Sequence, residues 1–244
     1  MVRRTRVADR SSVRPTYNGF MKPLSIRSWI VLSASAVATL ACGPLLATGV
    51  PVPPPAIDAP LATTKTEARA VIAGGCFWGI EAVYRHTRGV TRATSGYAGG
   101  SADSAHYDVV GSGRTDHAES VEVVYDPSQI TYGRLLQIFF SVAHDPTQLN
   151  RQGPDAGRQY RSAIFTADAD QARIARAYIA QLNEARVFRQ PIVTEVTALP
   201  RFYEAEDYHQ NYAALHPNDP YIRINDAPKV ESLRRMYPDL FVEK

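Results

Sequence analysis

Residues 68–80 read ARAVIAGGCFWGI, and this stretch joins two different hydrophobic patterns. Its first half is a short apolar run that ends at two glycines and is typical of a buried β-strand. Downstream, Ile80, Val83 and Tyr84 recur at intervals of three and four, which predicts an amphipathic helix. The sequence therefore predicts a strand, a tight turn and a helix, with Cys76 at the turn.

Cys76 has two interpretations at this position. Unpaired N–H groups and the dipole of a helix N-terminus favour a thiolate, which is the nucleophilic form of cysteine. A single cysteine is also commonly a small buried hydrophobic residue. The glycines on both sides favour the nucleophile, because they allow another molecule to approach closely.

The charge distribution separates the two ends of the chain. The formal charge is +3, but residues 1–28 hold seven Arg or Lys and one Asp, so the remainder is mildly acidic. No basic stripe with interleaved aromatics occurs, which argues against a nucleic-acid partner.

The N-terminal part resembles a leader followed by a tether. Residues 30–41 form an apolar run that is too short to span a bilayer but suits a signal peptide, with translation expected to start at Met21. Cys42 follows as a cleavage or lipidation point, and an uncleaved anchor is the alternative. We expect a leader over 1–50, a proline-rich linker over 51–66, and export to the periplasm or cell envelope rather than cytoplasmic residence.

Strand and helix patterns alternate through residues 67–244. Strands are predicted at 68–73, 90–97, 119–125, 160–166 and 192–199. Helices are predicted at 78–87, after Thr131, through Ile174, Tyr178 and Leu182, and near 205–215 and 228–236. This order predicts a single α+β domain whose mixed or antiparallel sheet is covered by helices in a ferredoxin-like two-layer core.

Glu119 is the second candidate for chemistry. Period two places its side chain on the same face as Val121 and Val123, where burial would raise the pKa of the carboxyl and make it a general acid. A frayed strand that leaves Glu119 in solvent is the alternative. Tyr107, Asp155 and Tyr160 lie in loops that can reach the same place, although each alone suits a packing or turn position as well.

The histidines and the glycine-rich stretch at 96–100 are weaker candidates for catalysis or ligand binding. His117 or His144 with Cys76 would suit a thiol hydrolase, and His209 lies in a helical pattern that suits a structural role. No zinc-ligand spacing and no phosphate-binding loop occurs in the sequence.

Five motifs run in order from about residue 70 into the C-terminal region. They are GGCFWG at 74–79, SGYAGG at 95–100, HAE at 117–119, QGPDAGRQYRS at 152–162 and EDYHQ at 206–210. Taken together and in this order, they resemble one family, the A-type peptide methionine sulfoxide reductases.

The resemblance implies an activity, the reduction of the S epimer of methionine sulfoxide, free or in proteins, as repair of oxidative damage. By resemblance, Cys76 attacks the sulfur and Glu119 supplies a proton. Tyr107 and Tyr160 hold the oxygen and Asp155 positions them or a water, while Phe77 and Trp78 form an apolar cup for the substrate methyl group.

The chain departs from many relatives in its recycling step. Relatives carry one or two cysteines near the C-terminus, but residues 77–244 contain none. The Cys76 sulfenic acid is therefore expected to be resolved by an external thiol, such as a thioredoxin-like protein, glutaredoxin or glutathione, with no bound cofactor or metal. Cys42 is a minor alternative, available only if it survives processing without a lipid.

Two other functions stay open at this point. One is the Cys–His thiol hydrolase, and the other is a non-catalytic module that binds oxidised methionine segments.

Overall fold

The computed structural model describes residues 49–244, which form a sheet flanked by helices. The strands are β1 (Ala68–Gly74), β2 (Val90–Ala98), β3 (Ala118–Tyr125), β4 (Arg151–Gln152), β5 (Asp155–Ala156), β6 (Ser162–Thr166), β7 (Glu195–Ala198) and β8 (Phe202–Glu204). The α-helices are α1 (Phe77–Arg85), α2 (Tyr107–Gly111), α3 (Tyr132–Ile138), α4 (Ala169–Glu184), α5 (Tyr212–Leu215) and α6 (Ala227–Met236). A π-helical turn, Phe139–Ala143, extends α3, and another, Ile222–Asp226, precedes α6.

The six-stranded sheet has the order β7-β6-β1-β3-β2-β8. Its four central strands pair antiparallel, and β7 joins β6 in parallel. The order β6-β1-β3-β2 is the arrangement of a ferredoxin-like core, so the predicted α+β fold with a mixed sheet is confirmed. β4 and β5 form a separate two-stranded hairpin.

The two faces of the sheet differ in what covers them. The face that carries Ile72, Tyr97, Val121 and Val123 packs against the helices and forms the main core. The opposite face is a thin layer of small side chains with Phe165, against which Leu199, just after β7, and Phe202, the first residue of β8, pack. The main core therefore lies on the helix-covered face, and Glu119, which follows the same alternation as Val121 and Val123, faces that side.

Local sequence signals explain the helices that were predicted. Thr131 caps α3 by accepting the Arg134 N–H, and Asp168 caps α4 by accepting the Gln171 N–H. The predicted spacing in α4 is confirmed, because Ile174, Tyr178 and Leu182 are all buried.

Short and irregular elements are where the expectations were wrong. The segment around Tyr107, predicted as a loop, contains α2. The strand predicted to start at Tyr160 begins at Ser162, after a 3₁₀ turn over Arg158–Tyr160. The helix predicted near 205–215 consists of a 3₁₀ turn, Asp207–His209, and the short α5. The edge strand β8 and the β4–β5 hairpin were not predicted.

The proline-rich segment, predicted to be a tether, lies against the domain. Val52 is buried in the main core, and the Asp58 carboxylate accepts the Gly133 N–H at 2.7 Å at the start of α3. Because proline has no N–H, the segment is held largely through its carbonyl oxygens. These accept hydrogen bonds from Ser141 to Val50, from Gln137 to Val52, from Tyr178 to Pro53 and from Gln181 to Pro54.

Packing therefore begins before Glu67, the predicted start of the domain. No helix within residues 49–244 is long and apolar enough to cross a bilayer. The apolar run of the leader and Cys42 lie outside the described residues.

Candidate active site

The turn between β1 and α1 depends on Gly75. Its φ is +98°, and a Cβ there would lie 2.5 Å from the Cβ of Gln152, so both the backbone conformation and the neighbour require glycine. The turn places Cys76 at the N-cap of α1, as predicted, with 7% of the residue exposed.

The environment of Cys76 corrects the prediction of a pre-formed thiolate. Burial and the nearby carboxylates of Glu119 and Asp226 raise the pKa of the Cys76 thiol well above its usual value. The Trp78 N–H and the Lys229 ammonium oppose this rise but do not outweigh it. Cys76 is therefore a thiol at neutral pH, because burial, the largest cause of the rise, outweighs the stabilisation of a thiolate by the helix N-terminus.

Glu119 lies on the helix-covered face, as period two predicted. The residue is 2% exposed, and its Oε2 accepts the Phe77 N–H at 3.2 Å, which connects β3 to the first turn of α1. Burial raises the pKa of Glu119 to about 8, with the Phe77 N–H opposing and Asp155 and Asp226 adding to the rise. Glu119 is consequently protonated at neutral pH, and its proton is expected on Oε1, since Oε2 accepts the amide.

Two tyrosines complete this group. Tyr107 starts α2 and Tyr160 ends the 3₁₀ turn before β6, and both are half-buried. Burial, followed by the negative charge of Glu119, raises the pKa of each hydroxyl. Neither hydroxyl has a hydrogen-bond partner among residues 49–244, whereas the Tyr97 hydroxyl donates to Glu206 at 2.8 Å. The two hydroxyls are therefore free to donate to an added acceptor.

Asp155 lies in β5 next to this group. Its Oδ2 accepts a hydrogen bond from the Tyr221 hydroxyl, and its charge contributes to the raised pKa of Tyr107 and Tyr160. The carboxylate therefore orients neighbouring groups, while Tyr221 belongs to the C-terminal segment that folds back over α1.

The two aromatic side chains that follow Cys76 have different surroundings. Phe77 is fully buried, with its ring centroid 6.0 Å from that of Tyr97, whereas Trp78 is half-buried. Tyr212 stacks on the indole at 3.9 Å and Tyr221 meets it edge-on at 6.1 Å. The indole is thus the accessible part of the apolar wall, and Phe77 supports it from behind.

The histidines considered as bases are engaged elsewhere. His117 accepts the Gly100 N–H through Nδ1 and donates through Nε2 to the Ser101 carbonyl. His144 donates through Nδ1 to the Phe139 carbonyl, and its Nε2 bonds the Ser162 hydroxyl at 2.7 Å. Neither imidazole has a nitrogen left for Cys76, which removes the base that a Cys–His hydrolase needs.

Sequence reasoning missed several residues of this site. Tyr212, Tyr221 and the Asp226–Lys229 ion pair at 3.0 Å all come from the last quarter of the chain. A Cβ on Gly79 would lie 2.1 Å from Asp226 Oδ1, so the ion pair sits directly on the first turns of α1. The aromatic residues around the EDYHQ motif were the available sign that this part of the chain contributes to the site, but their spacing follows no helix or strand period that would place them there.

The arrangement defines a class of enzyme. A buried thiol, a protonated carboxyl, two unpartnered hydroxyls and an apolar wall form a site for a substrate with one basic oxygen and one apolar substituent. Such a site belongs to a cysteine-based oxidoreductase that acts on an oxidised group.

Comparisons with known proteins identify the family. The sequence model of the peptide methionine sulfoxide reductases matches residues 68–240. The chain is 55% identical to the peptide methionine sulfoxide reductase MsrA 2 of Mesorhizobium japonicum over 72% of this chain and 90% of the relative. It is 52% identical to the MsrA 2 of Synechocystis over 77% of this chain and 89% of the relative.

Solved structures agree with the sequence comparisons. The reduced form of Mxr1 from Saccharomyces cerevisiae has a TM-score of 0.57 at 33% identity and covers 65% of this chain and 93% of its own. Methionine sulfoxide reductase A of Corynebacterium diphtheriae has a TM-score of 0.54 at 38% identity, with 70% and 87% covered. The chain belongs to the peptide methionine sulfoxide reductase family. Its activity is the reduction of the S epimer of methionine sulfoxide to methionine.

Proposed function

We propose that Cys76 is the nucleophile of this reaction and Glu119 its general acid. The observation that carries the proposal is the group of donors beside the Cys76 thiol. It consists of a carboxyl whose pKa burial raises to about 8 and two tyrosine hydroxyls without partners among the described residues.

The chemistry follows from the electronic demand of a sulfoxide. Its sulfur is electrophilic only when its oxygen is protonated or strongly hydrogen-bonded, so the donors must face the oxygen while Sγ faces the sulfur. Tyr107 and Tyr160 donate to the oxygen and Glu119 transfers its proton to it. Asp155 accepts the Tyr221 hydroxyl beside this group, and Phe77 and Trp78 form the wall for the methyl group.

The step balances without a bound cofactor. Cys76 Sγ attacks the sulfoxide sulfur, the Glu119 proton goes to the oxygen, and the thiol proton replaces it on Glu119. The attack forms an S–S bond; the hydroxyl then migrates from the substrate sulfur to Sγ, so the S–S bond and the substrate S–O bond break as the Sγ–O bond forms. Two electrons move from Sγ to the substrate sulfur, so methionine leaves and Cys76 becomes a sulfenic acid.

Recycling is proposed to use an external thiol. The sulfenic acid reacts with one thiol to give a mixed disulfide and water, and a second thiol releases the Cys76 thiol and an external disulfide. Cys76 is the only cysteine within residues 49–244, which supports a reductant supplied from outside. A thioredoxin-like protein, glutaredoxin or glutathione fits this chemistry. Comparing the turnover rate of Cys42→Ser with thioredoxin and with glutathione would show which reductant the enzyme prefers.

An epimer-resolved assay tests the proposal. The full chain is incubated with racemic methionine sulfoxide and dithiothreitol, and each epimer is followed by chiral chromatography. We expect the S epimer alone to disappear, with no loss in Cys76→Ser and unchanged loss in Cys42→Ser. The two variants form a matched pair, because the chain has two cysteines. Turnover by Cys76→Ser, or its absence in Cys42→Ser alone, would contradict the proposed roles.

Export is the remaining proposal. The apolar run at 30–41 ends before residue 49, where the described part of the docked segment begins, so cleavage before Cys42 would keep the residues that make the hydrogen bonds given above. Fractionation of cells expressing the full chain, with N-terminal sequencing of the product, tests it; a cytoplasmic product that retains residues 21–41 would contradict it.

A further inference from the structure

The Asp226–Lys229 ion pair is a buried charged group that the proposed chemistry does not use. Asp226 is fully buried, the Lys229 side chain is 13% exposed, and Nζ lies 3.0 Å from Oδ1. The other carboxylate oxygen, Oδ2, has no hydrogen-bond partner among residues 49–244. Apolar residues of similar volume are often as stabilising as a buried ion pair, so stability alone explains this pair poorly.

The ion pair lies against the first turn of α1. A Cβ on Gly79 would lie 2.1 Å from Asp226 Oδ1 and 2.7 Å from Lys229 Nζ. Gly79 follows the N-cap residue Cys76 by three positions, and residues three apart are neighbours on one face of a helix. Glycine at position 79 therefore lets both charges approach the turn that carries the thiol.

A second set of contacts places the Lys229 ammonium near the other end of this turn. A Cβ on Gly74 would lie 2.8 Å from Cγ of His144. Burial lowers the pKa of His144, and the Lys229 charge adds to this effect. Lys229 and His144 also line one cavity with Gln152, which packs against Gly75. The ammonium is therefore close to the turn from both sides.

The charged and titratable groups around the Cys76 thiol come from several elements. Burial raises the pKa of the thiol, and Glu119 on β3 and Asp226 on the π-helical turn add to the rise. The Trp78 N–H and the Lys229 ammonium oppose it. Four tyrosine hydroxyls also face the thiol, since a charge on Cys76 adds to the rise that burial causes in the pKa of each. They are the hydroxyls of Tyr107, Tyr160, Tyr212 and Tyr221. Of these groups, Lys229 alone carries a positive charge.

Recycling requires the sulfur of Cys76 to take up a negative charge. In the mixed disulfide, an external thiolate attacks the outer sulfur and forms a new S–S bond with it. The bond from the outer sulfur to Sγ breaks and its electron pair goes to Sγ. Cys76 thus leaves as a thiolate, which then takes a proton from water. A thiol of lower pKa leaves faster, so a cation near Sγ accelerates this step.

We propose that Lys229, held by Asp226 against the first turn of α1, stabilises the Cys76 thiolate that the external thiol releases. Asp226 is the positioning residue of the pair, because burying an unpaired ammonium is unfavourable. This inference rests on the proposed role of Cys76. The two members of the pair affect the thiolate with opposite signs, since the ammonium attracts its charge and the carboxylate repels it.

Three substitutions in a Cys42→Ser parent separate charge from structure. Lys229→Met removes the charge but keeps a long unbranched side chain, and Lys229→Arg keeps the charge. Asp226→Asn removes the negative charge but keeps an oxygen that can accept from the ammonium. A purely structural pair would make Lys229→Met and Asp226→Asn change the site in the same direction, whereas an electrostatic role requires opposite directions.

Alkylation of Cys76 by iodoacetamide at pH 7.5 reports how readily the thiolate forms. We expect Lys229→Met to react about 3–10-fold more slowly than the parent and Asp226→Asn faster by a similar factor, as for one charge near the sulfur. Lys229→Arg should react at nearly the parent rate. Circular dichroism of each variant checks that it is folded.

Reduction of a mixed disulfide measures the recycling step itself. Each protein is oxidised with a stoichiometric amount of S-epimer sulfoxide, treated with a stoichiometric amount of glutathione, and then reduced with dithiothreitol. Mass spectrometry of quenched samples follows the release of Cys76 from the glutathione adduct. Lys229→Met should slow this release about 3–10-fold, Asp226→Asn should accelerate it, and Lys229→Arg should restore it.

The outcomes distinguish the two possible failures. A folded parent that forms no glutathione adduct on Cys76 would refute the proposed role of Cys76, and the inference with it. Normal adduct formation with an unchanged release rate in Lys229→Met, or with slower release in both Lys229→Met and Asp226→Asn, would refute the role of Lys229 alone.

A double variant covers the case in which Lys229→Met does not fold. In Asp226→Asn/Lys229→Met no carboxylate is left buried without a partner, so the charge of Lys229 is tested against Asp226→Asn alone. Release of Cys76 should be slower in the double variant than in Asp226→Asn. Equal rates in the two would overturn the inference.

Discussion

The reacting groups and the recognition groups of this site are held in different ways. Cys76 and Glu119 lie on β1–α1 and β3, whose backbones are paired within the sheet and helix. Tyr107, Tyr160 and Tyr221 lie on short helical turns at the rim.

Side-chain hydrogen bonds hold the rim elements. Glu206 accepts the backbone N–H of Tyr107 at 2.9 Å, Gln159 donates to the Gly111 carbonyl at 3.1 Å, and Asp155 accepts from Tyr221. This difference indicates that electron and proton transfer depend on residues held by the sheet. Substrate binding depends instead on the rim residues, whose side-chain contacts single substitutions can remove. Changes in the first group should reduce kcat, and changes in the second should chiefly alter KM and epimer preference.

The largest effect is expected for Glu119→Gln. The amide cannot give a proton to the sulfoxide oxygen, so kcat should fall about 10²–10⁴-fold at pH 7, as for loss of a general acid. The protonated carboxyl is the active form, and burial raises the pKa of Glu119 to about 8. Wild-type kcat should therefore be retained below pH 8 and decline above it, provided that this carboxyl controls the rate.

The matched control is the pH profile of Glu119→Gln, measured over the same range under single-turnover conditions. Its residual rate should show no decline near pH 8. If the rate of Glu119→Gln also declines above pH 8, the ionisation belongs to another group. That result would contradict the role of Glu119 as a reacting group distinct from the recognition groups.

A smaller effect is expected for Tyr160→Phe. Removing one hydroxyl removes one donor to the substrate oxygen, and a hydrogen bond to a strongly polar acceptor contributes about 1.5–3 kcal/mol. The value of kcat/KM should fall about 10–100-fold, while the free energy of unfolding changes little because this hydroxyl has no partner among residues 49–244.

Tyr97→Phe is the comparison for Tyr160→Phe. Its hydroxyl is used within the protein, where it donates to Glu206. Urea unfolding should show a loss of stability for Tyr97→Phe only. Equal losses of stability in both variants would mean that the Tyr160 hydroxyl is also structural.

The smallest effect on activity is expected for Asp58→Asn, outside both groups. Asp58 accepts the Gly133 N–H at the start of α3 and the Thr131 hydroxyl. Neutralising it should lower the free energy of unfolding by about 1 kcal/mol, as for loss of a helix cap. Urea unfolding measures this loss, and kcat/KM should stay unchanged. A large loss of activity would show that the docked segment acts on the site.

The same contrast explains what the sequence predicted. Period two placed Glu119 on the buried face of β3, and the pattern around Ile174 defined α4, because burial on one face of a regular element imposes a spacing. Tyr160 was predicted through a motif, and Tyr107 through its loop before Glu119 and the family resemblance, since their irregular elements have no period. Tyr212, Tyr221 and Lys229 could not be predicted because long-range folding alone brings them to α1.

The state of Cys76 illustrates a further limit. Its position at a helix N-terminus suggested a thiolate, but the pKa is raised by burial and by carboxylates that are 43 and 150 residues away in the sequence. Local sequence determines the position of a group, whereas its electrostatic surroundings depend on the whole fold. The packing of residues 49–62 against the domain could not be predicted either. Four of its hydrogen bonds are accepted by backbone carbonyl oxygens, which produce no side-chain pattern in the sequence.

A single-turnover experiment on Cys42→Ser without reductant tests the central claim most directly. The protein is mixed with excess S-epimer sulfoxide, methionine is quantified, and Cys76 is trapped with dimedone for mass spectrometry. The account predicts one methionine per chain and a sulfenic acid adduct on Cys76. Methionine formation without modification of Cys76, or none at all from a folded protein, would contradict it.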